Sequence, residues 1–366
     1  MTLVIFFSLY ALLQGYVAHW VVRGAALGRT GGRVMLLWAM LMSAGPLLAW
    51  HAERCEGCVL WATVIVWLVY GWMGFSFLFF CAGLVLDTYD GVARLAHLPR
   101  LETATGLLWL ALVTSALWLW GFSNAWTPRI ERVVVTTDKL PPHAAGLRIV
   151  QISDVHLGSL VGRGRLAAIL AAVNALKPDM LVSTGDLMDA AGPRVDALAP
   201  MLAEVRPRYG KYAVMGNHEA YLGLGRAEAF HARAGFRLLR DTRVDVAGIV
   251  VAGFDDPAVA GQGWGAIEAE RGLLNEVSPD RFVVVLKHRP DIEQGAAFDL
   301  QLSGHTHGGQ IFPFGLLIRP IFPWLSGLHV VKGHAQLYIS RGTGTWGPPL
   351  RLFADPEVTL IELRRR

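Results

Sequence analysis

Residues 148–158 read Arg-Ile-Val-Gln-Ile-Ser-Asp-Val-His-Leu-Gly, a short apolar run that ends on two side chains with metal-binding chemistry. The run over 148–153 has the length and composition of a buried strand, and Asp154 and His156 follow at its carboxyl end. Residues 179–184 form a second such run, which ends in Gly185-Asp186. Residues 163–176, between the two runs, have the pattern of a helix. This alternation is typical of an α/β fold.

The same pattern continues along the chain, so that five predicted strands end on an oxygen or nitrogen donor. These ends are Asp154-Val155-His156 after 148–153, Gly185-Asp186 after 179–184, Gly216-Asn217-His218-Glu219 after 211–215, His288 after 281–287, and Gly304-His305-Thr306-His307 after 299–303. Open α/β sheets place their sites at this edge, and the three glycines suit tight turns. Further strands are predicted at 249–253, 336–340 and 357–363, and helices at 193–205, 225–234 and 263–274. The pattern predicts an α/β layer fold with one or two sheets.

Carboxylate, amide and imidazole groups together form a mixed oxygen and nitrogen donor set, which suits manganese, iron or zinc. A single Asp or His at a strand end is more often a turn or cap residue, but five such ends in one chain indicate a shared site. One metal ion would leave several donors unused, whereas two would use them. The sequence therefore predicts two divalent metal ions, with manganese, iron and zinc all open.

These residues give the chain a specific resemblance. In order and spacing they resemble the five motifs of the calcineurin-like metallophosphoesterases, particularly the membrane-attached bacterial branch and the transmembrane proteins that carry this domain. The resemblance covers roughly residues 130–366 and includes Gly308-Gly309-Gln310 and the run Ser-Arg-Gly-Thr-Gly at 340–344. It implies a four-layered β-sandwich flanked by helices, with a binuclear metal centre at the strand ends, and a hydrolase of phosphate esters.

The resemblance also implies a role for each motif residue. Asp154, His156 and His307 would hold the first metal ion. Asn217, His288 and His305 would hold the second, and Asp186 would bridge both. His218 would be a catalytic residue that faces the substrate rather than a metal ion.

The expected reaction is attack on phosphorus by a hydroxide that bridges the two cations, because a pair of divalent ions about 3.5–4 Å apart lowers the pKa of a shared water. His218 would protonate the leaving oxygen, since the ordinary pKa of histidine lies near neutrality. Arg163 and Arg289 are candidate substrate-binding residues, although a solvated helix face is the commoner place for such arginines. Glu219 either orients an imidazole of the site or is a surface carboxylate.

The composition of the whole chain is too apolar for one soluble protein, because 53% of its 366 residues are hydrophobic and only 17% are charged. Residues 1–126 hold just 11 of the 62 Asp, Glu, Lys and Arg residues. Four charge-free stretches, at 2–22, 34–50, 59–86 and 103–126, can each cross a hydrocarbon layer of about 30 Å. We predict a transmembrane helical region over 1–126, a linker with a first strand over 127–147, and the phosphoesterase domain over 148–366.

Arginines in the predicted loops indicate the orientation in the membrane. The first loop carries Arg23, Arg29 and Arg33, the third carries Arg94 and Arg100, and the second carries Arg54 alone. The positive-inside rule places the first and third loops in the cytoplasm. This predicts a multi-pass protein of a bacterial inner membrane, with its catalytic domain on the outer, periplasmic side.

Three further features bear on function. Cys55, Cys58 and Cys81 all lie in the apolar part, so the domain has no cysteine nucleophile and no disulfide framework. The net charge of +4 is mild and the arginines are scattered, so nucleic acid binding is not implied. Residues 311–325 form an apolar stretch with three prolines. This stretch either folds over the core or rests on the bilayer surface, where it would admit a lipid-linked phosphate.

The leading function is a membrane-bound, dimetal phosphoesterase that acts on phosphate esters, including lipid-linked ones at the membrane surface. An alternative is a lipid-linked sugar-nucleotide pyrophosphatase, which would require a cytoplasmic domain. A non-catalytic receptor or scaffold that binds phosphate through the metal centre is an alternative of another class. Binding alone has no need of a proton donor, so the presence of His218 favours the enzyme.

Overall fold

The chain divides into two units near residue 123. Long apolar helices lie before this point, and alternating strands and helices follow it. One unit comprises Met1–Ser123 and Gly347–Leu350, and the other comprises Asn124–Trp346 and Arg351–Arg366. The computed structural model describes residues 2–53, 59–260, 264–293, 295 and 297–366. The cysteine pair Cys55 and Cys58, and Arg54 of the second predicted loop, lie outside the described residues.

Four helices form most of the first unit: α1 (Thr2–Gly24), α2 (Arg29–Ala52), α3 (Val59–Leu95) and α4 (Thr103–Asn124). Each is long and apolar enough to cross a membrane. The helices α2 and α3 continue beyond the charge-free stretches predicted at 34–50 and 59–86, because helical hydrogen bonding can continue through charged residues outside the hydrocarbon layer. Arg23 and Arg94 lie in the last turns of α1 and α3, so charge stands at the helix ends.

Within the helical unit, two groups of polar side chains join α1 to α3. Gln14 donates to the Ser76 hydroxyl at 3.1 Å and accepts a hydrogen bond from Trp72 Nε1 at 2.8 Å. Tyr16 donates to the carboxylate of Asp87 at 2.5 Å. Polar groups in apolar surroundings are costly unless they are paired. These contacts therefore give the few polar residues of the helices a structural role.

Among the described residues of the second unit, twelve strands form two sheets of six. In chain order the strands are β1 (Arg129–Thr137), β2 (Leu147–Ile152), β3 (Met180–Thr184), β4 (Lys211–Val214), β5 (Arg237–Leu238), β6 (Thr242–Val246), β7 (Ile249–Gly253), β8 (Val283–Leu286), β9 (Leu300–Ser303), β10 (Gly327–Lys332), β11 (Ala335–Ile339) and β12 (Glu357–Arg365). The first sheet has the order β1-β12-β2-β3-β4-β5, and the second has the order β10-β11-β9-β8-β7-β6.

The strands that precede the metal motifs run parallel within each sheet. In the first sheet, β2, β3 and β4 are parallel neighbours. In the second sheet, β8 lies parallel to β9. Parallel neighbours end at the same edge, so each sheet gathers the residues that follow these strands. The predicted strand ends are therefore close in space although they are far apart in sequence.

In the part of this unit that the structure describes, eight helices accompany the strands: α5 (Arg163–Ala175), α6 (Pro193–Asp196), α7 (Ala199–Ala203), α8 (Asn217–Leu222), α9 (Leu224–Arg233), α10 (Pro257–Ala260), α11 (Trp264–Asn275) and α12 (Phe314–Ile318). Two short 3-10 turns lie at Pro142–Ala144 and His307–Gly309. The helix predicted over 193–205 is split into α6 and α7. Pro200 has no N–H with which to continue a helix from α6, and this accounts for the break.

The main hydrophobic core lies between the two sheets. It includes Ile149 and Val182 from the first sheet and Val251, Val284 and Leu302 from the second, all fully buried. A second cluster joins the opposite face of the second sheet to Leu274 of α11, and α5 packs on β12 of the first sheet. Helices thus cover both outer faces of the paired sheets. This confirms the predicted α/β fold, with four apolar helices followed by a layered sandwich.

Three strands of the structure, β5, β6 and β10, were not predicted from the sequence. All three stand at the edges of their sheets. An edge strand is only partly covered, so it lacks the continuous apolar run that identifies an inner strand. In β6, for example, Arg243 and Asp245 alternate with less polar residues.

Candidate metal centre

The loops after β2 and β9 bring together Asp154, His156 and His307, all of them buried. His307 Nε2 lies 3.1 Å from His156 Nε2 and 3.4 Å from Asp154 Oδ1. The donor atoms of the three residues lie within 4.8 Å of one another. A single cation with metal–ligand distances of about 2.0–2.2 Å can therefore contact all three.

A second group forms from Asp186, His288 and His305, which follow β3, β8 and β9. His288 Nε2 lies 3.1 Å from Asp186 Oδ2 and 3.1 Å from His305 Nδ1. The same oxygen, Asp186 Oδ2, lies 3.9 Å from His156 Nε2 of the first group. One carboxylate oxygen thus stands within reach of donors from both groups.

Unused lone pairs in the site fit a metal centre of the oxygen and nitrogen type. In each facing imidazole pair, His156 with His307 and His288 with His305, two ring nitrogens approach to 3.1 Å. Two N–H groups cannot point at each other, so at least one nitrogen of each pair presents a lone pair. Asn217 Oδ1 is also buried and has no hydrogen-bond partner among the described residues. Buried amide oxygens are rarely left in this state.

The charges of the site favour a cation. Burial opposes ionisation of Asp186, but His288 and His218 hold the pKa of its carboxyl well below the ordinary value. Burial would likewise lower the pKa of His288, yet Asp186 and Asp154 raise it to about 10. Burial and the nearby positive groups lower the pKa of His305 to about 3. The carboxylates therefore stabilise positive charge between them, while His305 stays neutral and keeps its lone pair.

Five of the predicted metal ligands have left-handed backbone conformations: Asp154 (φ 51°), His156 (φ 54°), Asp186 (φ 50°), His305 (φ 71°) and His307 (φ 53°). A non-glycine residue in this region costs of order 1–3 kcal/mol. Residues of this kind persist where the surrounding structure imposes their conformation, and they cluster at functional sites. The strand ends thus turn sharply enough to point neighbouring side chains at one place.

The three predicted turn glycines allow the strand ends to come close together. A Cβ atom on Gly216 would collide with Asp186 Oδ1, and one on Gly304 would collide with Asp154 Oδ2. Gly185 has a φ of 92°, and its Cβ would lie 2.7 Å from His288 Nδ1. The close approach is therefore between backbone and the side chains of the predicted metal ligands themselves.

The model of the calcineurin-like phosphoesterase family matches residues 147–309, which include all seven predicted metal ligands. An uncharacterized metallophosphoesterase of Aquifex aeolicus is 38% identical over 240 residues, which cover 64% of this chain and 92% of that protein. A transmembrane protein with metallophosphoesterase domain from Danio rerio is 34% identical over 274 residues, which cover 69% of this chain and 62% of that protein. The chain belongs to the calcineurin-like phosphoesterases.

The phosphoesterase is accordingly a phosphoester hydrolase, and its four apolar helices make it a membrane protein. The predicted family and enzyme class are confirmed. A 5′-nucleotidase precursor of known structure from Thermus thermophilus is similar over 59% of this chain and 54% of its own, with 18% identity and a TM-score of 0.37. The family and the clustered His and Asp side chains together indicate a divalent metal centre.

In this phosphoesterase, His218 lies beside the two candidate metal-binding groups and forms a third group of possible ligands with His156 and Asp189. Its Nδ1 atom is 2.6 Å from Asp189 Oδ1, and its Nε2 atom is 4.0 Å from Asp186 Oδ2. Burial alone would lower the pKa of His218, but Asp186 and Asp189 raise it to about 9. The sequence analysis did not single out Asp189. The signal was present, because this residue closes the run Gly185-Asp186-Leu187-Met188-Asp189.

Aromatic rings flank the site of the phosphoesterase. The ring of His218 lies 5.5 Å from Tyr221 and 5.8 Å from Trp346 between centroids, and both aromatic side chains are exposed. The ring of His305 lies 5.3 Å from Phe322. A substrate that approaches His218 therefore meets apolar rings around a strongly polar centre.

The two arginines predicted to bind substrate differ in their surroundings. Arg289 forms two hydrogen bonds with the buried carboxylate of Asp256, at 2.7 and 3.2 Å, so its charge is already compensated. Its guanidinium also contributes to the lowered pKa of His305, after burial and His288, and so lies near the site. Arg163 is exposed in the first turn of α5.

A fully buried arginine, Arg351, holds the loop that carries His307. Its guanidinium donates to the His307 carbonyl at 2.9 Å and to the Gly344 carbonyl at 2.6 Å, and it lies 3.3 Å from His307 Nδ1. Burial lowers the pKa of Arg351 to about 9. No sequence signal pointed to this residue, because an isolated arginine after two prolines normally lies at the surface.

Glu219 has neither of the roles that the sequence analysis considered. Its carboxylate is fully buried and accepts hydrogen bonds from backbone N–H groups: Asp186 at 3.0 Å, Leu187 at 2.7 Å, Met188 at 3.1 Å and Gly216 at 2.8 Å. It therefore joins the turn after β3 to the turn after β4. These are the two turns that position Asp186 and Asn217.

Replacing Gly216 with alanine is expected to abolish metal binding. The backbone of Gly216 is extended, with φ −95°, so alanine fits the conformation, and what opposes it is the collision of its Cβ with Oδ1 and the backbone nitrogen of Asp186. Metal bound per chain should be measured by elemental analysis after incubation with manganese and dialysis. Gly164→Ala is the matched control, because a Cβ there meets nothing within 4 Å. Full metal content in Gly216→Ala would contradict the prediction.

Replacing Glu219 with glutamine is expected to lower stability. The amide has one acceptor oxygen and places an NH₂ group against N–H donors, and each buried donor left unsatisfied costs roughly 1–3 kcal/mol. Thermal unfolding of the detergent-solubilised protein should show a fall of several degrees. Glu276→Gln is the control, because the Glu276 side chain is 70% exposed. An equal unfolding temperature for the two variants would contradict a structural role for Glu219.

Proposed function

We propose that this membrane phosphoesterase hydrolyses phosphate esters with a centre of two divalent cations. Asp154, His156 and His307 would hold one cation. Asn217, His288 and His305 would hold the other, and Asp186 would be shared. The main support is the position of Asp186 Oδ2, which lies 3.1 Å from His288 Nε2 and 3.9 Å from His156 Nε2. A site for a single ion would have no use for one carboxylate oxygen between two sets of donors.

The bound cations would supply positive charge to the phosphoryl oxygens and would activate a water molecule. The donor set suits manganese, iron or zinc. In the overall reaction the water oxygen becomes bonded to phosphorus and the ester P–O bond breaks. The leaving oxygen then needs a proton, and the chain must supply a donor for it.

His218 is the proposed proton donor, and Asp189 is its positioning residue. With Nδ1 held against Asp189 at 2.6 Å, the imidazole directs Nε2 toward the metal-binding side chains. The carboxylate neighbours raise the pKa of His218, so they favour the protonated form that a general acid requires. Arg289 is proposed to contact substrate oxygens with the exposed part of its guanidinium, and Arg163 is the weaker candidate because it lies on the first turn of an outer helix.

His218→Asn is expected to retain metal but to lose turnover in a way that depends on the leaving group. Nitrophenolate is a stable anion and can leave without a proton. Phenolate is more basic, so its departure depends more on a proton donor. Turnover of phenyl phosphate should fall by about 10²–10⁴-fold, and turnover of para-nitrophenyl phosphate should fall much less. Asp189→Asn should act in the same direction to a smaller extent, and Asp280→Asn at an exposed position is the control.

The same assay tests the proposed function. The wild-type protein should hydrolyse para-nitrophenyl phosphate or its bis-ester when loaded with manganese, iron or zinc, and the preferred ester would separate monoesterase from diesterase activity. No turnover with any of these metals would overturn the proposal. Equal losses on both leaving groups, or loss of metal from His218→Asn, would remove the proton-donor role alone.

The proposed substrates are phosphate esters carried by membrane lipids. The apolar rings of Tyr221 and Trp346 beside His218, and the membrane anchor on the same chain, both support such a substrate. We place the chain in a bacterial inner membrane with the catalytic domain on the outer side. The support for this orientation is the excess of arginine at the helix ends and connections around residues 23–33 and 94–100.

A reporter fused to the C-terminus is expected to be active as alkaline phosphatase and dark as green fluorescent protein. Fusion after Leu98, between α3 and α4, should give the opposite result because α4 alone separates the two positions. A fluorescent C-terminal fusion would instead place the catalytic domain in the cytoplasm. That result would favour the alternative function, a lipid-linked sugar-nucleotide pyrophosphatase.

A further inference from the structure

The chain directly after the last metal motif exposes its large apolar side chains. We define the apolar segment as residues 312–330, which include α12 and most of β10. Leu317 is 67% exposed, Ile321 is 72% exposed and Val330 is 68% exposed. Helix α12 has no buried residue at all. The segment therefore does not fold over the core, which was one of the two expectations from its sequence.

The apolar segment is exposed although several contacts hold it in place. The Thr306 hydroxyl donates to the Leu325 carbonyl at 2.6 Å, and Phe322 packs edge to face on His305. The backbones of Gly309 and Gly315 approach so closely that a Cβ on Gly309 would lie 2.5 Å from Gly315. The segment is thus held against the metal motif and directs its apolar side chains outward.

The composition of the segment fits one kind of partner. It has no acidic residue, and Arg319, which is exposed, is its one Lys or Arg residue before Lys332. Trp324, with its ring stacked on His329 at 5.1 Å, adds an aromatic group that is partly polar. Tryptophan, arginine and large aliphatic side chains together are typical of surfaces that lie in the interfacial region of a bilayer.

Chain connectivity keeps a bilayer within reach. The candidate membrane span α4 ends at Asn124, and β1 begins at Arg129. The four residues between them span about 13–14 Å when fully extended. A soluble partner for an apolar surface of this kind would have to compete with a membrane that is tethered to the same chain.

We propose that the apolar segment is a bilayer-contact surface, whose partner is the interfacial region of the lipid membrane that anchors the chain. Leu317, Ile321 and Val330 would lie among the lipid head groups and upper acyl chains. The metal motif, which is hydrogen-bonded to the segment through Thr306, would then face phosphate groups that lie at the depth of the lipid head groups. The proposal rests on the proposed function for the identity of the substrate, but not for the contact with lipid.

The test uses full-length protein whose three cysteines are replaced by serine, with a single cysteine introduced as Leu317→Cys and labelled with the fluorophore NBD. The protein is reconstituted in nanodiscs of phosphatidylcholine and phosphatidylglycerol that contain lipids brominated at a shallow acyl position. NBD at 317 should emit at shorter wavelength than in water and should be quenched by the brominated lipid by at least twofold. Glu276→Cys, labelled in the same way, is the control, because that side chain is exposed to a similar extent, 70%.

Three results would bear on the proposal. Quenching at 317 but not at 276 supports it, whether or not the protein is active. Water-like emission at both positions overturns it, and activity on soluble esters in the same sample would leave the proposed function intact. Blue-shifted emission at 317 that rises with protein concentration, without quenching by brominated lipid, overturns it in favour of contact with a second copy of the chain.

Discussion

The rest of the site depends on the contacts of one group, the carboxylate of Asp186. One of its oxygens lies within 3.9 Å of imidazoles from both candidate metal-binding groups, and the other accepts the backbone N–H of His218 at 2.9 Å. The carboxylate therefore positions the candidate proton donor as well as the candidate cations. Its own backbone is left-handed and its N–H group is bonded to Glu219. A small movement of this one residue would change the distances in both groups and at the substrate-facing histidine.

The strand-end pattern predicted which side chains would meet, and the structure brings them together, although their roles as ligands stay predictions. The pattern worked because inner parallel strands are continuous apolar runs, and an Asp or His directly after such a run must lie at the sheet edge. It could not find Glu219 or Arg351, because charged residues of this kind usually lie at the surface. Only the tertiary fold reveals that Glu219 accepts hydrogen bonds from backbone N–H groups of the strand-end turns, and that Arg351 donates hydrogen bonds to backbone carbonyls near His307. Sequence periodicity contains no information about such contacts.

The helical part shows the complementary limit of sequence reasoning. Charge-free stretches located the apolar spans, but the helices α2 and α3 run on into charged residues, because backbone hydrogen bonding does not stop where the hydrocarbon layer stops. Asp87 illustrates the difference, since it follows the charge-free stretch that ends at 86 yet lies within α3 and bonds to Tyr16 of α1. The amino-acid composition thus indicates which residues can lie in the hydrocarbon layer, whereas the backbone hydrogen bonds define where each helix begins and ends.

The metal site and the apolar segment share a short piece of chain, and this has a mechanical consequence. Thr306 stands between two predicted ligands, His305 and His307, and its hydroxyl bonds to Leu325 within the segment. Arg351 holds the same loop through the His307 carbonyl. Contact of the segment with a bilayer would therefore be passed to the loop that carries the candidate metal ligands His305 and His307 through the hydrogen bond of Thr306.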